Sequence, residues 1–194
     1  AIQFWTSRGW GVVDVNYGGS TGFGRTYRDR LQGGWGVVDV NDCAAAAKTL
    51  IAAKHADPKR IAIEGGSAGG FTTLACLCFT DVFRAGACRY AVSDPSALAT
   101  ETHRFEARYL DGLIGRWPEK RDLYEQRSPL RHAQQIRCPV IFFQGLKDKV
   151  VLPQQTKRMA DALRRNAIPV EVHPCPDEGH GFLIWEGVHF HRDG

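Results

Sequence analysis

The sequence predicts an α/β fold, a mostly parallel sheet with helices on both faces. Three observations carry this. Short β-branched or apolar runs alternate with helix-forming stretches over the first half of the chain, the pattern of parallel strands joined by crossover helices. One strand-to-helix passage, Arg60 to Gly70, reads as a tight glycine-bounded turn between a buried strand and an apolar helix. The 194 residues, 43% apolar and 24% charged, suffice for one domain with a sizeable core and are too few for two.

The elements follow in order. Gly11 to Asn16 is β-branched, follows the turn pair Arg8-Gly9 and predicts a strand. A glycine-rich loop covers Tyr17 to Gly24. The octapeptide Gly9–Asn16 then recurs letter for letter at Gly34–Asn41, but this copy runs into Asp42-Cys43 and four alanines, so it predicts the opening of a helix that ends near His55, before Asp57-Pro58. Next come a strand over Arg60–Glu64, a helix from Ala68 to about Phe79, and a strand centred on Gly86–Ala91. From Asp94 to His132 the alternation breaks. This polar, helically patterned insertion is interrupted by Gly112, Gly115 and Pro118, and insertions of this kind form caps or pocket walls. Val140–Phe143 resumes the sheet, Pro153 to about Arg165 is an amphipathic helix opened by proline, and Val170–His173 is the last clear strand. Phe182 to Gly194 carries no clear pattern.

Composition excludes several classes. The net charge of +4 is small and dispersed, with no basic block, so nucleic acid is not an expected partner. No apolar run reaches bilayer length, and the N-terminus lacks the basic and apolar regions of a secretory signal. It also lacks an initiator Met and reads as starting inside a fold. The six cysteines mostly lie in apolar surroundings, as free thiols of a reducing, cytoplasmic compartment would. No Cys-x-x-Cys or His-Glu-x-x-His spacing occurs, so no metal site is expected.

The candidate chemistry centres on Gly65-Gly66-Ser67-Ala68-Gly69. A serine on a strand-to-helix turn is held in strained geometry with its hydroxyl above the sheet, and Gly65 and Gly69 are expected to be small because a Cβ would crowd the turn. The Ala68 N–H, at the positive end of the following helix, is placed to receive an oxyanion. A serine hydroxyl is a weak nucleophile and needs an oriented base. Asp148 and His180 follow the third and fourth of the strands after residue 60, in the order Ser, Asp, His. Alone, Asp148 between two lysines reads first as a surface carboxylate, and His180 between two glycines reads as well as a turn residue; Asp94 is the competing acid. Tyr17 is a candidate second oxyanion donor, against the plainer role of a packed aromatic. Phe105, Tyr109 and Trp117 of the insertion are candidate pocket walls.

At these residues the chain resembles the catalytic domain of the prolyl oligopeptidase family of serine peptidases, in its acylaminoacyl-peptidase and dipeptidyl-aminopeptidase-like branch. The resemblance runs from about Phe4 to Phe182 and rests on Asp14–Gly24, Trp35–Asp42, Gly65–Gly70, Gln144–Val151 and Glu178–Phe182. It implies an α/β-hydrolase fold, with Ser67, Asp148 and His180 as a triad, Ala68 as one oxyanion donor, peptide or ester substrates, and no metal or organic cofactor. Two departures stand out. The family's β-propeller has no counterpart here, and neither does its upstream His-Gly-Gly-type loop, which supplies an oxyanion donor. The expectation is therefore an N-terminally truncated domain, short of some strands and of a closing C-terminal helix, and weakly active or unstable alone. An esterase and a non-catalytic module on the same fold remain open, as does homo-oligomerisation.

Overall fold

Four apolar runs find one another and pair in a single parallel sheet. The computed structural model describes residues 2–101 and 109–181. Short helices α1 (Ile2–Thr6) and α2 (Arg25–Asp29) precede α3 (Val38–Ala52); then come β1 (Ala62–Gly66), α4 (Ala68–Phe79) and β2 (Ala85–Arg89). Helices α5 (Pro95–Glu101), α6 (Tyr109–Leu113) and α7 (Arg121–Arg127) form the insertion, and a 3₁₀ turn at Ala133–Gln135 leads to β3 (Val140–Gly145), α8 (Pro153–Arg165) and β4 (Val170–Cys175). The strand order is β1-β2-β3-β4, and every pair is parallel. Right-handed crossovers in a sheet that grows in one direction place α4 and α8 on the same face. That face is the packed one: Cys88, Phe142, Phe71, Leu74, Met159 and Leu163 are at most 1% exposed. On the other face one register row, Glu64, Ala87, Ile141 and Glu171, stays half-buried or exposed among the described residues.

Besides shifts of a few residues at other element ends, such as β2 closing at Arg89 and α3 at Ala52, one strand is displaced and one is missing. The strand predicted at Arg60–Glu64 lies at Ala62–Gly66, because the Arg60 N–H is taken by the Asp57 carbonyl in the preceding turn and pairing with β2 starts at Ala62. The strand predicted at Gly11–Asn16 does not form: these residues are irregular, with Val12 and Val13 39% and 54% exposed. A strand exists by its ladder, and this segment makes none with the edge strand β1. Its neighbour Trp10 instead packs on Trp5 of α1, ring centroids 5.8 Å apart.

The second octapeptide copy begins α3 through a buried network. Asp39 is fully buried, accepts the Gly36 N–H at 2.6 Å and the Thr72 hydroxyl, and so ties α3 to α4. Trp35 packs against Phe71 beside it, ring centroids 4.0 Å apart and planes tilted by 38°. Burial raises the Asp39 carboxyl above its ordinary 3.8, although the hydrogen bonds from Thr72 and Gly36 pull it down. The folded protein thus holds this proton more tightly than the unfolded chain. The resulting stabilisation is complete below the ordinary value and is lost as pH rises through the raised one. Asp39→Ala orphans the buried Gly36 N–H, leaves the Thr72 hydroxyl only the Ala68 carbonyl to donate to, and is expected to cost about 2 kcal/mol at neutral pH. It should also remove part of the pH slope above pH 4. Denaturant melts across that range check both, and an unchanged midpoint at pH 7 would refute the network's role.

Candidate active site

All the chemistry gathers where parallel strands end. Ser67 follows β1 directly, Tyr90 follows β2 directly, Asp148 lies in the loop after β3, and His180 in the loop after β4. The carboxyl edge of a parallel sheet is where loops from successive strands meet.

Ser67 occupies the turn that the sequence foresaw. Its backbone has φ 55° and ψ −119°, a region that a non-glycine residue adopts only when its surroundings enforce it. Its N–H donates to the Arg89 carbonyl at 2.9 Å, and α4 starts at the next residue. The glycine expectation holds at Gly65, where an added Cβ would lie 2.2 Å from the Gly69 carbonyl oxygen. It fails at Gly69, where a Cβ would meet nothing within 4 Å. The turn is crowded at Gly65 and again at Gly70, where a Cβ would lie 2.5 Å from the Ala91 side chain, and open only at Gly69 between them. Among the described residues, no acceptor takes the Ala68 N–H.

The three distant residues meet. Ser67 Oγ lies 2.9 Å from His180 Nε2, and His180 Nδ1 lies 2.9 Å from Asp148 Oδ2. A carboxylate offers only acceptors, so the Nδ1 position carries the proton and Nε2 is left to accept from the serine hydroxyl. The Asp148 side chain is fully buried, and its Oδ1 accepts the Val150 and Val151 N–H groups, both at 2.9 Å. Gln144 steadies the same loop: its amide donates to the Val151 carbonyl at 3.3 Å, while its oxygen accepts the Thr156 hydroxyl at 2.7 Å. The histidine loop is stitched to the aspartate loop. The Leu146 N–H donates to the Cys175 carbonyl, the Lys147 N–H to the Glu178 carbonyl, and Lys147 Nζ pairs with Asp177 at 2.7 Å.

The rival acid is accounted for elsewhere. Asp94 Oδ1 accepts the Ser96 N–H and hydroxyl and the Ser128 hydroxyl, which anchors the start of α5. Tyr17 is half-buried; its loop is clamped to α3 by the Gly18 N–H on Asp42. Burial, and then the charge of Asp39, raise the Tyr17 hydroxyl, so it stays a proton donor. Of the candidate pocket walls, Phe105 lies outside the described residues. Tyr109 is 59% exposed, and Trp117 packs edge-on against Tyr124 with centroids 5.2 Å apart. No described contact joins either to Ser67, Asp148 or His180. Among the described residues, no group of three or more His, Cys, Asp or Glu could hold a metal ion, and no helix is long and apolar enough to cross a membrane.

Sequence reasoning passed over Tyr90. Its ring meets the His180 imidazole at 4.8 Å between centroids and 60° between planes. The available signal was positional: an aromatic residue immediately past the end of a parallel strand.

Comparison with known proteins bears on the family of the chain. A dipeptidyl aminopeptidase BIII of Pseudoxanthomonas mexicana is 32% identical over 186 residues, 93% of this chain and 27% of that protein. An acylamino-acid-releasing enzyme of Arabidopsis thaliana is 31% identical over 92% of this chain and 24% of its own length. Among solved structures, a puromycin-hydrolysing peptidase of Mycobacterium tuberculosis superposes with a TM-score of 0.90 at 54% identity, covering 92% of this chain and 27% of that one. The chain thus spans about a quarter of the length of the relatives it matches. With the prolyl oligopeptidase family pattern matching residues 1–186 and relatives above 30% identity aligned along more than nine-tenths of it, the chain belongs to the prolyl oligopeptidase family.

Proposed function

We propose that this chain is the α/β-hydrolase catalytic domain of a serine peptidase that cleaves short peptides through an acyl-enzyme on Ser67. The reading is carried by the continuous run of hydrogen bonds from Ser67 Oγ through the imidazole to Asp148. Ser67 Oγ attacks the scissile carbonyl carbon as His180 Nε2 takes its proton. Asp148 holds the tautomer and balances the imidazolium. The carbonyl oxygen becomes an oxyanion received by the Ala68 N–H, with the Tyr17 hydroxyl as the second donor. The C–N bond then breaks as His180 returns the proton to the amine. Water, activated by the same imidazole, attacks the acyl-enzyme carbonyl, and the acid is released with Ser67 regenerated. The insertion after β2 lines the substrate side. The six unpaired cysteines support a cytoplasmic location.

The relatives' names support peptide and amide substrates over simple esters, and the puromycin-hydrolysing relative makes puromycin a first substrate to test. A fluorophosphonate probe read by intact mass should add one label, at Ser67, and Ser67→Ala should abolish it. Turnover of puromycin and of dipeptide p-nitroanilides should exceed that of size-matched p-nitrophenyl esters relative to their uncatalysed rates; an ester-only profile would favour the esterase. In the same assay, an unchanged turnover number for Tyr17→Phe would remove Tyr17 from the oxyanion site. No labelling of the folded chain would reject the catalytic reading altogether and leave a non-catalytic module.

A further inference from the structure

We propose that Tyr90 is a positioning residue for His180, holding the imidazole in the plane that joins Ser67 to Asp148; this rests on the reading of His180 as the proton carrier. The need for such a residue follows from the geometry. His180 stands between Gly179 and Gly181, neither of which restricts the backbone as a side chain would. Two hydrogen bonds, one at each ring nitrogen, fix the ring along the line from Ser67 to Asp148. They resist tilting about that line only weakly, because hydrogen bonds tolerate angular deviation. A contact from outside the line is required, and the Tyr90 ring provides it, edge to face at 4.8 Å and 60°.

The chain accepts backbone strain to put it there. Tyr90 has φ 37°, in the left-handed region that a bulky side chain rarely enters. The turn this creates serves two ends. It lets residues 89–92 clasp the nucleophile's own peptide groups, with the Ser67 N–H donating to Arg89 O at 2.9 Å and the Val92 N–H reaching Ser67 O at 3.5 Å. The Tyr90 N–H still donates to the Phe143 carbonyl at 2.8 Å, so the turn is anchored to β3. The same turn throws the ring across Gly66, where an added Cβ would come within 3.1 Å of it. Gly66 is therefore small for the tyrosine, and the tyrosine lies over it to reach the histidine. One segment after β2 thus grips the serine by its backbone and the histidine by an aromatic ring.

The test uses Tyr90→Gly, which deletes the ring while a glycine keeps φ 37° without strain, and Tyr90→Phe, which keeps the ring. Tyr90→Gly is expected to lower kcat on a peptide anilide by about 10- to 100-fold with KM within about twofold, and Tyr90→Phe to restore most of that loss. A second readout does not depend on activity. The ring current of Tyr90 displaces the imidazole proton resonances of His180, assigned against His180→Gln. They should move toward ordinary positions in Tyr90→Gly and stay displaced in Tyr90→Phe. If wild type is labelled by the fluorophosphonate but Tyr90→Gly turns over as fast as wild type, or its His180 resonances do not move, this proposal falls and the serine-hydrolase reading stands. If wild type is not labelled, both fall.

Discussion

His180→Ala is expected to lower turnover by about 10⁶-fold, with substrate binding changed only a few-fold. Among the described residues the imidazole is the only group bonded to both Ser67 Oγ and Asp148, so its removal leaves the hydroxyl without a base and Asp148 Oδ2 without its partner. Ser67→Ala should cost about as much, and the double variant no more than either single one, because the two side chains act in one proton transfer. What survives should be the contribution of the Ala68 N–H and of substrate binding. Single-turnover acylation with a peptide anilide measures this. The fold should be retained, since the His180 side chain is 23% exposed and contributes nothing to the core around α4. A variant within tenfold of wild type would remove His180 from the mechanism.

Asp148→Asn is expected to lower kcat by about 10⁴-fold while leaving the melting temperature nearly unchanged. The physical reason lies in how the two carboxylate oxygens are used. Oδ1 takes the Val150 and Val151 N–H groups, and an amide oxygen can keep both bonds, so the loop after β3 stays in place. Oδ2 faces His180 Nδ1, and the amide NH₂ that replaces it can only donate. The imidazole is then driven to the other tautomer, with its proton on Nε2, where it cannot accept from Ser67. Asp148→Ala should differ. It also orphans the two backbone donors and should lose about 1–3 kcal/mol of stability. Comparing kcat and melting temperature for the two variants separates tautomer control from loop support. Equal activity of Asp148→Asn and wild type would return Asp94 to consideration as the acid.

The legible part of the site was its local part. Gly65-Gly66-Ser67-Ala68-Gly69 announces a strained turn because strand, turn and helix signals fall within a few residues of one another. Asp148 and His180 were legible once their strands were, because each lies a short loop beyond a strand end. Tyr90 was not, since its role is made by a contact with a residue ninety positions later and by a backbone angle that no propensity predicts. The glycines teach the same lesson. Gly65 is crowded and Gly69 open, a difference set by what each position faces rather than by residue type. The pocket walls were read from composition alone, and no described contact ties Tyr109 or Trp117 to the serine.

The repeated octapeptide divides what the sequence determined from what only tertiary structure decided. Pattern and turn chemistry alone were enough for the parallel sheet, for α4 and α8, and for the order of the three converging side chains. They could not decide the fate of eight identical residues. In the first copy Trp10 is 44% exposed and Asp14 faces solvent; in the second Trp35 is 2% exposed and Asp39 is fully buried. The first copy meets no strand to pair with among the described residues. The second meets Phe71 and Thr72 of α4, which supply an aromatic ring for Trp35 and a hydroxyl for Asp39. Burial and hydrogen bonding are properties of what a segment touches, and the letters of the segment do not contain its neighbours.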